Sequence, residues 1–448
     1  MSPLALSQGE HPSSMSAAIP SASRRAPASD VAMRYIVAGI VAFVIFALGV
    51  PFLAPTLVQT NDDPHVFALV HVAVLGWITM TIMGALYQLL PVALAAQPSS
   101  ERLARWNFWL YAVAVAGFAP SFYADWTPGV AIFGTLAVAG VAHFASALLR
   151  SYRSVRDWHP MAWYVLAGLL WLFATIGFGF VYALDWFFGW FDVSDAMLAA
   201  HVHLGLAGWL SLTLMGVSYK LIAMFTIAHG HDHRLAMANL GLWNAGLAGL
   251  VLSLIFAPAS AAVVVFAALL ALSAVLFVLD MVRLLRRRRR RTLSVEQWHL
   301  FVGFGSLLAA VALGLTIVTG HAPSRSWVVA YGWMALAGWL GFSIVGNSYK
   351  IVPFLSWLHT YSGVAGSRPV PRVGDLLDGG MARVSFAFLL AGLVGVCLGL
   401  LVGDARIVAF AGLSYLTGAI VYALALLPLA IPLLVRVPGT SMTKEGVA

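Results

Sequence analysis

The sequence predicts an all-α polytopic membrane protein, with twelve transmembrane helices in three pseudo-threefold four-helix arcs and both termini inside. Three observations carry this. Apolar runs of membrane-spanning length recur from end to end in a chain of 448 residues that is 61% hydrophobic and only 9% charged. The basic residues sort to one side of those runs. One marked helix recurs three times at nearly constant spacing.

The spans are expected at about 33–56, 64–92, 105–123, 128–150, 161–187, 196–225, 236–256, 260–285, 297–318, 325–352, 382–402 and 406–434. A soluble fold is excluded, because so small a polar inventory cannot enclose the core that this apolar content would make. Residues 1–30 are rich in Ser, Ala and Pro and contain no apolar stretch long enough for a signal-peptide core, so they read as a disordered cytoplasmic tail. Residues 31–436 form a single membrane domain with repeat units at about 33–150, 161–285 and 297–434, and 437–448 form a second cytoplasmic tail.

Orientation follows from charge. Of the 25 Lys and Arg residues, only Arg325 and Arg406 fall in outer segments when the N-terminus is placed inside. The outer segments instead carry Asp62, Asp63, Asp125, Asp185, Asp192, Asp195 and Asp404. The formal charge of +8 does not imply nucleic acid as a partner. The run Arg286 to Arg291 lies between two apolar segments and suits a cytoplasmic loop facing anionic lipid headgroups of the bilayer.

The repeat is explicit. Residues 71–91 and 203–223 share eight of 21 positions, and 203–223 and 333–353 share nine, at offsets of 132 and 130 residues. The motifs fall on the second, sixth and tenth spans, each second in its unit of four. Three parallel units favour a ring over the inverted pair common in transporters. Gly76, Gly208 and Gly338, with Gly84, Gly216 and Gly346 eight residues on, read as packing positions where backbones approach closely.

Candidate chemistry centres on His201 and His203, in the stretch Ala-His-Val-His-Leu-Gly that enters the sixth span. Residues two apart on a helix stand about 200° apart around its axis, so the two imidazoles face different neighbours. His71 occupies the position of His203 one repeat earlier. A buried neutral imidazole must satisfy two ring nitrogens, which a metal plus an outer acceptor does. The single cysteine, Cys397, excludes disulfides, Cys-based zinc sites, iron-sulfur clusters and covalent c-type haem. Carboxylates are scarce, at four Glu and thirteen Asp, and nearly all fall in expected loops.

With its twelve spans, three arcs of four, inward termini and histidines at the outer ends of the second and sixth spans, the chain resembles subunit I of the haem-copper oxidase superfamily. That resemblance implies haem held by histidines from different arcs, electron-transfer chemistry, and a bacterial-type inner (plasma) membrane. Three departures limit it. Tyr331 and Trp333 stand on the tenth span where the family carries a His pair, and this chain's own His-x-His lies on the sixth. The seventh span has Asn239, Trp243 and Asn244 but no histidine for the family's copper site. No Glu lies within an expected span, so proton pumping of the family type is not expected.

The resulting expectation is a divergent, oxidoreductase-like relative that binds haem b and takes part in electron transfer or in handling a diatomic gas such as nitric oxide or oxygen. His71 and either His201 or His203 are the axial ligands. The other member of the pair faces the sixth-to-tenth-span compartment, where it meets a five-coordinate haem, a copper ion, or nothing. His65, close to Asp62 and Asp63, is a further metal candidate whose alternative is a wet interfacial side chain. Trp77, Trp209, Trp333 and Trp339 either flank a porphyrin or form an interfacial girdle. The electron donor is a small carrier protein or a quinone.

Other features read more plainly. His229, His231 and His233 read as solvated loop residues, although such a cluster also binds stray divalent metal. His143 and His299 have no evident partner. Tyr219-Lys220 and Tyr349-Lys350, at the far end of their helices, read as interfacial tyrosines and snorkelling lysines, with a quinone or proton entry point as the sharper alternative. Two other functions compete: an accessory protein resembling the NnrS group of nitric oxide response proteins, whose His-x-His-x-Met signature is absent, and a metal ion transporter, against which the lack of buried carboxylates counts.

Overall fold

The computed structural model describes residues 29–156, 158–289 and 293–434. Residues 1–28 of the expected N-terminal tail, the whole expected C-terminal tail, and Arg290 and Arg291 of the arginine run lie outside the described residues, whereas Ser29 and Asp30, expected in the tail, already belong to the first helix. Apart from one isolated bridge, every regular element among the described residues is helical. The long helices are α1 (Ser29–Phe52), α2 (Pro64–Ala93), α3 (Glu101–Tyr123), α4 (Thr127–Tyr152), α5 (Pro160–Phe188), α6 (Asp195–Thr226), α7 (Arg234–Phe256), α8 (Ala261–Arg286), α9 (Val295–Val318), α10 (Arg325–Tyr361), α11 (Gly379–Val402) and α12 (Ala405–Leu434). Eleven of these are long and apolar enough to cross a membrane. The exception is α3, whose charged first turn and polar aromatic rings leave it less apolar.

Local chemistry sets the ends. Side chains of Asp63, Ser100, Ser194, Asp378 and Asp404 accept from backbone N–H groups in the first turns of their helices, satisfying donors that have no partner within the helix. Pro64 and Pro160 open α2 and α5 at positions where a missing N–H costs nothing. Gly189 and Gly403 end α5 and α11 with φ of +64° and +75°, in the left-handed region that glycine enters freely. The first helix ends at Phe52, short of the expected boundary, and a short helix, Ala54–Gln59, follows with Pro55 in its first turn.

The three marked helices share a feature that a 3.6-residue period does not show. Immediately after His71, His203 and Trp333 the backbone widens into π-helix, over Val72–Thr79, Leu204–Ser211 and Met334–Phe342. Such widened turns concentrate at functional sites.

The π segments also bring the marked helices together. Trp209 Nε1 donates to Thr79 Oγ1 at 3.3 Å, and Trp339 Nε1 donates to Ser211 Oγ at 3.0 Å. Positions 79, 211 and 341 correspond in the repeat, so Trp77 meets Gly341, which has no hydroxyl. Its indole Nε1 is left without a partner. A Cβ at position 341 would lie 2.7 Å from Trp77 Cη2, so glycine is what lets the ring edge in. Trp77 stacks instead on Phe43, with centroids 3.9 Å apart. These three buried indoles are inter-helix struts, and the girdle expected for them is corrected accordingly.

Small residues let the remaining helices close in. Gly39, Gly168 and Gly303 on α1, α5 and α9 lie against the hydroxyls of Thr81, Thr213 and Ser343 on the marked helix of the same unit. The last helix returns to the first, with Gly412 of α12 packed on Pro51 of α1.

Candidate functional site

A single cavity of about 1060 Å³ opens beside the π segments, and His71, His201 and His203 all line it. The two separate compartments expected on either side of α6 are thus continuous. The walls are mainly apolar, with Phe118, Phe122, Leu172 and Leu206 among them. Such a lining with a few convergent polar groups is the usual character of a ligand or cofactor site.

Two of the imidazoles are held alike. His71 Nδ1 lies 2.7 Å from the carbonyl oxygen of Phe67, and His203 Nδ1 lies 2.7 Å from that of Ala199, each one helical turn back. A carbonyl only accepts, so in both rings Nδ1 carries the proton and Nε2 carries the lone pair. Phe122 stacks on the His71 ring at 5.0 Å and Phe118 meets it edge-on at 5.2 Å, which fixes its orientation and keeps water away.

His201 and His203 point apart, as their spacing requires. The His203 ring reaches α10, where Tyr331 donates its hydroxyl to Nε2 at 3.0 Å. The His201 ring turns toward α5, beside Tyr182 and over Gly179. It lines the same cavity as His71. Its Nδ1 is enclosed and makes no hydrogen bond. A Cβ at position 179 would stand 2.9 Å from His201 Cε1, so Gly179 makes the room this ring occupies.

His65 stands apart from this group. Its Nδ1 pairs with Asp63 at 2.9 Å and its ring meets Tyr123 edge-on. Burial alone would raise the Asp63 carboxyl, but the hydrogen bonds from the His65 ring and backbone prevail and hold it below the usual range. Among the described residues, no three His, Cys, Asp or Glu side chains converge as a metal centre. The cavity mouth is acidic, with Asp62, Asp192 and Asp195 on it. Arg325 bridges to Asp195 at 3.2 Å.

Three readings of the sequence need correction. Carboxylates are buried in the bundle: Asp185 accepts from the Phe191 N–H, Asp280 on α8 is 2% exposed, and Glu296 is 5% exposed. Their supposed absence therefore no longer counts against a transporter. The loop histidines are not all solvated, since His231 turns inward to Asp280 at 3.3 Å with 9% of its side chain exposed. Lys350 does not snorkel freely, because its Nζ pairs with Glu296 at 2.8 Å. His299 donates from Nδ1 to the Val295 carbonyl and packs against Phe342, Tyr349 and Phe386. Tyr331 was noted in sequence only as a departure from a pattern; its contact with His203 needed the folded chain.

No protein-family model matches the sequence, and no curated protein matches it. Solved structures do match in fold. One is that described as "Cryo-EM structure of a heme-copper terminal oxidase dimer provides insights into its catalytic mechanism". It aligns with a TM-score of 0.67 over 89% of this chain and 84% of that chain, at 12% identity. The apolar helices and this likeness define a multi-pass membrane protein with the fold of a haem-copper terminal oxidase.

Proposed function

We propose that this chain is an oxidase-like membrane protein that binds haem b between α2 and α6 and serves electron transfer or the handling of a diatomic gas. The observation that carries the reading is that His71 and His201, from two different helices, line one mainly apolar cavity. His71 offers a lone pair fixed by its carbonyl bond, and the Nδ1 of His201 is buried without a hydrogen-bond partner. This donor set suits bis-imidazole ligation. A haem held there supplies a one-electron iron centre.

The protein's own contribution is orientation and exclusion. The Phe67 and Ala199 carbonyls fix the tautomers of His71 and His203 and raise the basicity of Nε2. Phe118 and Phe122 keep water from His71. Tyr331 holds its proton against His203 Nε2, so that imidazole is already engaged. Twelve spans in three arcs, with both ends inside, belong to the same reading. The recurrence of the π segments and of the indole struts at matching positions supports them.

The test is a visible spectrum of the detergent-purified protein, oxidised and dithionite-reduced. Sharp α bands and a Soret shift on reduction are expected, and a protein purified with haem supplied that shows neither overturns the reading. Gly179→Val, which drives a side chain into the His201 ring, is expected to convert the low-spin spectrum to a mixed or high-spin one while leaving the helical circular dichroism unchanged. The acidic mouth at Asp62, Asp192 and Asp195 favours a second reading, entry of a cation. Metal analysis of the same sample decides it, since a stoichiometric divalent metal without haem is its signature.

A further inference from the structure

A second cavity, of about 550 Å³, lies at the other end of α10. Lys350 on its wall follows Trp333 by seventeen residues, about 25 Å along the helix. The start of α9, the α10 segment around Lys350 and Pro353, the 3-10 turn Val373–Leu376 and the start of α11 enclose it.

Its polar side has an excess of donors. The one buried acid, Glu296, is occupied: its Oε1 accepts from Lys350 Nζ at 2.8 Å and from the Ser294 hydroxyl. The Lys350 ammonium has three N–H donors, of which Glu296 takes one. Arg383 adds five more and makes no hydrogen bond or ion pair among the described residues. Several donors at the helix starts are already taken. Ser294 and Gln297 form a capping box on α9, and the Asp378 side chain accepts from Gly380 and Met381 on α11.

The arrangement belongs to the third unit alone. A Cβ at Gly84, Gly216 or Gly346 would meet the carbonyl of Ala32, Met161 or Glu296 respectively, which makes these three residues equivalent. Only the third is an acid. In the second unit Lys220 makes no ion pair among the described residues, whereas Glu296 draws Lys350 into the wall of the cavity. Glu296 is therefore a positioning residue, not a ligand.

Val295, Trp298, Pro353, Leu377 and Phe386 form the apolar walls. Of these, Trp298 is 50% exposed. A surplus of cationic donors calls for a group that only accepts and carries negative charge, and apolar walls beside it call for a hydrocarbon tail. We infer that this cavity binds an anionic amphiphile, with the phosphodiester of an acidic phospholipid between Lys350 and Arg383 and its acyl chain along Trp298 and Phe386.

The experiment uses the full chain in detergent, stripped of lipid, with phosphatidylglycerol as probe and phosphatidylcholine and inorganic phosphate as controls. Binding is read by native mass spectrometry and by the thermal melt. Phosphatidylglycerol is expected to bind saturably and raise the melting temperature, with both controls far weaker. Arg383→Gln, at an exposed position, is expected to weaken phosphatidylglycerol by about fivefold and to leave the visible spectrum of the protein unchanged. Glu296→Gln is expected to weaken it as well, by releasing Lys350 from the wall. Equal binding of phosphatidylcholine and phosphatidylglycerol, or an Arg383→Gln affinity equal to the parent's, overturns the inference. Tight binding of inorganic phosphate alone overturns the amphiphile in favour of a free anion.

Discussion

His201→Ala is expected to abolish the low-spin haem spectrum, while His203→Ala leaves most of it in place. The two residues are alike in sequence context, and only the folded chain separates them. His201 turns toward α5 in the cavity that His71 also lines, and its Nδ1 has no hydrogen-bond partner. His203 has both ring nitrogens engaged, Nδ1 by the Ala199 carbonyl and Nε2 by the Tyr331 hydroxyl. Recruiting His203 as a ligand means breaking the Tyr331 bond and leaving a part-buried phenol unsatisfied, at about 1 kcal/mol. Recruiting His201 breaks nothing. His71→Ala is expected to match His201→Ala, because a haem held by both imidazoles would lose its low-spin character with either one. The measurement is the reduced-minus-oxidised spectrum together with haem content per protein. The opposite ranking, with His203→Ala losing the α bands and His201→Ala keeping them, reverses the assignment on α6.

How far the sequence could be read depends on whether a feature is local. The opposite aim of His201 and His203 follows from helix geometry and was legible. Which of them meets α2 depends on how α6 is rotated by its neighbours, and no pattern within α6 encodes that. The marked glycines and tryptophans announced three related helices. The π turns at Val72–Thr79, Leu204–Ser211 and Met334–Phe342 were invisible, because an inserted residue leaves the composition of an apolar segment unchanged. Gly341 shows the same limit: its departure from Thr79 and Ser211 was on the page, but the indole it admits comes from the first unit. Ion pairs were the least legible. Glu296 sat one residue before its expected span, where an acid at a helix start is ordinary, and its partner Lys350 lies on another helix. His231 seemed a solvated loop residue because a sequence does not show a loop folding back.

That loop sets the second large effect: Asp280→Ala is expected to lower stability by about 3 kcal/mol, seen as a clear fall in the detergent melting temperature. Asp280 is buried on α8 and holds two elements at once. Its Oδ2 accepts the Tyr219 hydroxyl from α6 at 3.0 Å, and its Oδ1 stands 3.3 Å from His231 Nε2 in the connection to α7. Ile227 turns the chain at that connection with φ of +55°, a conformation unfavourable for a β-branched residue, and the contact of His231 with Asp280 helps to hold it. Removing the carboxylate leaves the Tyr219 hydroxyl buried without an acceptor and frees the strained turn, so two penalties fall together. Asp280→Asn keeps an acceptor for Tyr219 and is expected to cost less than half as much. His231→Ala leaves the Tyr219 bond intact and is expected to fall between the parent and Asp280→Ala, with proteolysis near residue 230 increasing. A melting temperature for Asp280→Ala within one degree of the parent means that the carboxylate does not tie α6, α8 and the loop together. In that case the inward turn of His231 has no energetic basis.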